Sequence, residues 1–358
     1  MDSKKTRTIV AVAVAAVLVI AAAVAAYLFL GGEEPIVQVS SPWPQAEAER
    51  SVPKPAEPPV WPLTGMPAPT ADAPASIRVV SVKIENSPAA RPQSGIQAAD
   101  VVYESITEGG ITRFNCMFHS NNPAELVGPV RSARLSDIDI VPQYSPLFVF
   151  SGASGVVNSA VRAAGLENLS QDVGVSNGYT RVSFRSAPHN LYLDLAEIRE
   201  EGVSRGYSAS QEIKPLAFDR SSADTPTVSH VTIPFSQANT AEWTYDPESD
   251  TYLRENNGRV HTDALTDEQI SARNVVVVWA RMVAQRKTDV TGSTTYDIEL
   301  TGSGRATVFR NGAKLDCTWA TNGDAPPTFT AADGSAVRLA PGNTWFQVIP
   351  TNLNISME

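Results

Sequence analysis

The stretch IRVVSVKIEN, Ile77–Asn86, decides how the folded part of this chain begins. It is β-branched and apolar along most of its length, so it reads as a buried strand. Working outward, AADVVYESI (98–106) and GITRFNCMFHS (110–120) read as two further strands, and TEGG between them suits a hairpin turn. SARLSDIDIVPQ (132–143) then reads as a helix capped at Ser132 and stopped by Pro142. PLFVFSGAS is a short apolar strand running into small residues, and GVVNSAVRAAGLENL a second helix. Strands alternating with helices predict an α/β or α+β layer structure over residues 76–220.

The character changes near Pro226. Short β-rich runs such as VSHVTIPF, RNVVVVWARMV, GRATVFRNG and TWFQVIP are separated by turn signals such as DPESD, ENNGR and AADGS. Residues 226–352 therefore read as a second, mostly β domain of sandwich or barrel type, with the boundary around 218–227.

Before residue 76 the chain has a different composition. Residues 1–7 carry Lys4, Lys5 and Arg7, while Thr8–Leu30 has no charge at all. That run is long enough for a bilayer core of about 30 Å, and its flanking charges predict a cytoplasmic N-terminus with the rest outside. A cleaved signal peptide is the competing reading; small-residue sites exist near Ala22, but the run is longer than the usual apolar region of such a peptide. Proline-rich residues 31–75 read as an extended, disordered tether.

The chain has a formal charge of −10, which argues against nucleic acid as a partner. Its two cysteines, Cys116 and Cys317, show no zinc or iron–sulfur spacing, and no Gly-rich phosphate loop is present. No metal or cofactor is expected. Outside the membrane the two thiols are either free or joined to each other, in which case they would clamp the two halves together.

Within this acidic chain, GPVRSARLSDIDI (128–140) places Arg131 and Arg134 three residues apart, near the expected start of a helix. Arginine's planar fork suits a carboxylate or phosphate. With Arg113, Arg91 and Arg185, and with Asn190 nearby in sequence, they would make a cationic pocket for an anion. Asp137 and Asp139 would orient the arginines from behind. His189, in SAPHNLY, is a candidate general acid or base. Glu104 and Glu108 are weak candidates for a carboxylate pair. The alternative is structural: neighbouring carboxylates neutralise every arginine, and no ligand is needed.

These motifs resemble the YerB-like family of cell-surface lipoproteins, a domain of unknown function (number 3048). The matching residues are ENSPAARPQSGIQAADVVYE, EGGITRF, GPVRSAR and PHNLY in the first half. In the second half they are YLRENNGRVHTD, NVVVVWA and GSGRATVFRNG. The resemblance covers about residues 62–350 and implies an extracytoplasmic protein with two domains, without supplying a mechanism. Three functions stay open. The first is a membrane-anchored binder of an anionic cell-envelope glycan or peptidoglycan. The second is an enzyme acting on envelope glycans, either a hydrolase or, by fold-level analogy with the LytR–CpsA–Psr proteins, a phosphotransferase. The third is a scaffold with internal salt bridges.

Overall fold

A computed structural model describes residues 3–30, 58–123, 126–221, 227–288 and 294–358. The chain divides into two compact units, Met1–Ala56 and Glu57–Glu358.

In the first unit, α1 (Ser3–Leu30) is one helix of 28 residues. Among the described residues no helix is long and apolar enough to cross a membrane. The single-pass anchor expected at 8–30 is therefore not supported. Of the expected tether, 31–57 lies outside the described residues. Residues 58–75, expected as part of the tether, belong to the second unit, where Trp61 and Leu63 supply buried apolar surface.

The second unit is mixed α/β in its first half and mostly β in its second. The first half holds β1 (Val80–Glu85), β2 (Val101–Ile106), β3 (Thr112–Phe118), β4 (Leu147–Val149), β5 (Tyr179–Arg181) and β6 (Leu191–Leu193). Its helices are α2 (Ala73–Ser76), α3 (Ser136–Ile140), α4 (Gly155–Ala163) and α5 (Leu195–Ser204). The second half holds β7 (His230–Ser236), β8 (Asn239–Asp246), β9 (Thr251–Asn256), β10 (Ser271–Ala272), β11 (Asn274–Thr288) and β12 (Thr294–Glu299). It continues with β13 (Gly302–Arg310), β14 (Ala313–Thr321), β15 (Thr328–Thr330), β16 (Ala336–Val337), β17 (Thr344–Pro350) and β18 (Ser356–Met357).

The two halves share one sheet. Its order is β16-β15-β14-β13-β11-β17-β2-β3-β1-β4, with β12 paired onto β11. β17 runs parallel to β2 in the register Thr344↔Val101 to Val348↔Ser105, and parallel to β11 on its other edge. Almost every side chain of TWFQVIP is buried, as an interior strand requires. β7–β10 and β18 form a separate sheet of five strands, and β5 and β6 pair as a two-stranded sheet. The second half is therefore mostly β as expected, but most of its strands extend the first half's sheet.

One apolar cluster lies between the two sheets and includes Val82, Ile84, Phe114, Cys116, Trp243 and Trp345. Another covers the opposite face and includes Val101, Tyr103, Met117, Phe346 and Cys317. The two cysteines thus belong to different clusters and both are free thiols, so the inter-half clamp weighed from sequence does not form.

β1 is buried on both faces, but the faces differ. Val80, Val82 and Ile84 join the apolar cluster, while Ser81, Lys83 and Glu85 point the other way and are buried too. Burying those polar groups demands partners, and the partners make the site.

Candidate functional site

β3 lies beside β1 with Glu85 opposite Arg113 and Lys83 opposite Asn115. The segment after the Gly-Pro turn lies on the other edge of β1, beyond β4: Glu85 N donates to Pro129 O (3.0 Å) and Arg131 N to Lys83 O (2.8 Å). Ala133 N donates to Gly152 O. These bonds hold 130–134 extended, so α3 starts only at Ser136. Arg131 and Arg134 precede the helix and do not share a helical face.

Four cations gather there. Lys83 is fully buried and meets Asp137 at 2.6 Å; Asn115 donates to the same oxygen at 3.0 Å. Burial pulls the lysine's pKa down, and Asp137 opposes the shift. Arg134 is saturated. Its Nε and Nη2 both donate to Glu108 Oε2, at 2.8 and 2.6 Å, and its Nη1 donates to Ala133 O. Arg131 is less committed. Its Nε lies 3.2 Å from Glu85 Oε2 without hydrogen-bond alignment, and its terminal nitrogens have no hydrogen-bond partner among the described residues.

Arg113 differs from all of these. It is only 6% exposed, yet it forms no ion pair with a carboxylate among the described residues. Its Nη1 donates to Ser132 O (3.0 Å), and its buried Nε has no hydrogen-bond partner. Burial, and after it the neighbouring Arg134, pull its pKa down to about 9; Glu108 opposes them, Arg131 adds to them, and Glu85 opposes again. On the rim, His189 Nδ1 is 2.9 Å from Glu85 Oε2, and Ser87 Oγ donates to Glu85 Oε1 (2.7 Å).

Other expected members lie elsewhere. Asp137 touches Arg134 only through its backbone N (2.7 Å), and Asp139 accepts from Leu300 N; neither orients a guanidinium. Both are taken by nearer donors. Arg91 binds Asn86 and Asn239. The half-buried Arg185 donates to the carbonyls of Ala89 and Pro92. Asn190 accepts from Arg181 (2.8 Å) and donates to Val182 O. Glu104 and Glu108 do not form a carboxylate pair. Glu104 joins Val102 on the side facing the five-stranded sheet, whereas Glu108 binds Arg134 on the other.

That opposite side holds a second polar network. Arg254, fully buried, meets Glu104 at 2.9 Å, and its guanidinium carbon lies 4.9–5.6 Å from the ring centroids of Trp345, Trp243 and Phe114. Arg254 Nε bonds His261 Nδ1 (3.0 Å), and His261 Nε2 is 2.6 Å from Gln93 Oε1. Burial, and after it Arg254, hold His261 well below the usual imidazole range. Asp263 accepts from the backbone N of Gly95 and Gln97, both at 2.8 Å. Among the described residues no three His, Cys, Asp or Glu side chains gather as metal ligands.

Residues 63–208 match the family described as "Protein of unknown function (DUF3048) N-terminal domain", and residues 231–346 match its C-terminal domain. The chain belongs to the DUF3048 family. A Bacillus subtilis (strain 168) protein named "Putative lipoprotein YerB" is 31% identical over 294 residues, which are 81% of this chain and 86% of that protein. The crystal structure of the YerB protein from Bacillus subtilis matches with a TM-score of 0.74 at 28% identity, covering 84% of this chain and 99% of that one. The first cysteine of this DUF3048 chain is Cys116, buried in the core.

Proposed function

We propose that this DUF3048 protein acts outside the cytoplasm, held at the membrane by its N-terminal segment, and binds an anionic cell-envelope glycan or peptidoglycan component at Arg113 and Arg131, beside the Arg134–Glu108 pair. The supporting observation is Arg113. A cation left inside a protein without a carboxylate is costly, and this one stands beside two further guanidinium groups. An anion arriving at Arg113 and at the uncommitted nitrogens of Arg131 would offset that cost through charge-assisted hydrogen bonds. The uncharged stretch 8–30 and the lipoprotein name of the Bacillus relative support the location.

The test is calorimetric titration of the full chain with anionic cell-wall fragments. Binding should weaken at least tenfold in Arg113→Met and Arg131→Ala, each of which removes an interaction of about 1.5–3 kcal/mol, and should fall with added salt. Unchanged affinity in both variants would defeat this reading. The saturated Arg134–Glu108 pair favours a second reading, an internal scaffold with no ligand.

A further inference from the structure

Glu85 and His189 carry chemistry that anion binding leaves unused. Glu85 is 1% exposed, and each of its oxygens has a partner: Ser87 Oγ on Oε1, and His189 Nδ1 on Oε2. A buried carboxylate on Nδ1 fixes the imidazole's orientation and its tautomer, leaving the Nε2 lone pair free. Nε2 has no hydrogen-bond partner among the described residues, and the side chain is 28% exposed. The same Oε2 lies 3.2 Å from Arg131 Nε, so ring and guanidinium are neighbours across one oxygen. Arg113 stands opposite Glu85 in the sheet register.

An oriented base with a free nitrogen, next to an unpaired buried cation, matches what hydrolysis of a phosphodiester asks of a protein. Such catalysis is mainly positioning plus stabilisation of charge on the phosphoryl oxygens, with a base to take the proton of the attacking water.

We infer that Glu85, His189, Arg113 and Arg131 form a hydrolytic centre for phosphodiester bonds. This rests on the anion-binding reading above. Arg113 and Arg131 hold the two non-bridging oxygens. His189 Nε2 accepts a proton from a water whose oxygen forms the new bond to phosphorus. The bond from phosphorus to the leaving oxygen breaks, and that alkoxide takes a proton from solvent. His189 then returns its proton to solvent. One diester and one water give one monoester and one alcohol, with no change of oxidation state. His189 is the catalytic residue, and Glu85 is a positioning residue.

Two probes separate catalysis from binding, both used with the full chain in detergent micelles. Diphenyl phosphate, a diester with poor leaving groups, reports binding by calorimetry. Bis(4-nitrophenyl) phosphate reports turnover through released 4-nitrophenol. The wild type should bind the first and cleave the second. His189→Gln should bind diphenyl phosphate within twofold of wild type and cleave at least 100-fold more slowly. Arg113→Met should lose both. If His189→Gln does not fold, His189→Asn replaces it. Binding without turnover in the wild type overturns the hydrolytic centre and leaves the binding reading intact. Wild-type turnover in a folded His189 variant overturns it as well. Absence of diphenyl phosphate binding defeats the anion site and the hydrolytic centre together.

Discussion

Glu104 and Arg254 meet at 2.9 Å with neither side chain exposed, one from each half of the chain. Glu104 also accepts from Thr112 Oγ1 (2.7 Å) and Asn86 Nδ2 (3.2 Å), while three aromatic rings enclose the guanidinium. Removing one partner strands a charge inside the protein. Arg254→Met or Glu104→Leu alone should each destabilise by about 3–5 kcal/mol, and the double variant should recover a large part of that loss. Urea denaturation of all three reads this out. A double variant no better than the sum of the singles would mean that the pair is not the coupled unit.

The β-branched, apolar run through VSVKIE was legible as a strand, and so were the hairpin and the turn-separated strands of the second half. What sequence did not reveal was the pairing of β17 with β2, because strand period carries no information about which distant strand lies alongside. The helix start was misplaced for a related reason. Ser132 is a good capping residue, but the backbone of 130–133 is taken up by Lys83 and Gly152, which are distant in sequence. Of the five arginines singled out in the sequence, Arg113, Arg131 and Arg134 lie near one another. Arg91 and Arg185 fell away because nearer acceptors hold them. The Arg254–His261–Gln93 chain was missed. Its only signal was the pair of motifs YLRENNGRVHTD and RPQSG, which single residues could not link.

Cys116 and Cys317 are thiols whose pKa values burial pushes up, that of Cys317 to about 12. The reactive thiolate is scarce at neutral pH, and both groups are shielded from reagent. Ellman titration of the native protein without reductant should show almost no fast-reacting thiol, and two per chain after denaturation. Fewer than two on denaturation would mean oxidation and contradict the separation of the two clusters.

Asp100 and His119 set opposing acid responses. Burial raises Asp100 to about 6 against the hydrogen bonds it accepts from Ser120 and from the backbone N of His119. The folded state therefore binds this proton more readily, and stability from Asp100 is lost as pH rises through 6. Burial lowers His119 to about 4, with its Nε2 on Pro74 O opposing. Stability from His119 is therefore lost as pH falls from 6.5 towards 4. Each displacement is worth at most roughly 3 kcal/mol. Between pH 7 and 4, His119→Gln should gain stability relative to wild type and Asp100→Asn should lose it. Parallel profiles for the two variants in thermal melts would show that neither group carries the shift.

The contrast between Arg113 and Arg134 decides what the cationic face is for. Arg134 uses two nitrogens on Glu108, which is only 8% exposed. Arg134→Ala leaves that carboxylate buried and alone and should cost about 3 kcal/mol. Arg131→Ala should cost less, because Glu85 keeps Ser87 and His189 as partners. Arg113 has no carboxylate to strand. Arg113→Met keeps most of the buried chain length and removes a desolvated charge, so the melting temperature should hold or rise. A protein that retains such a residue against its own stability needs it for something outside the fold. A fall for Arg113→Met as large as that for Arg134→Ala would place Arg113 within the internal ion-pair network and leave the scaffold reading standing.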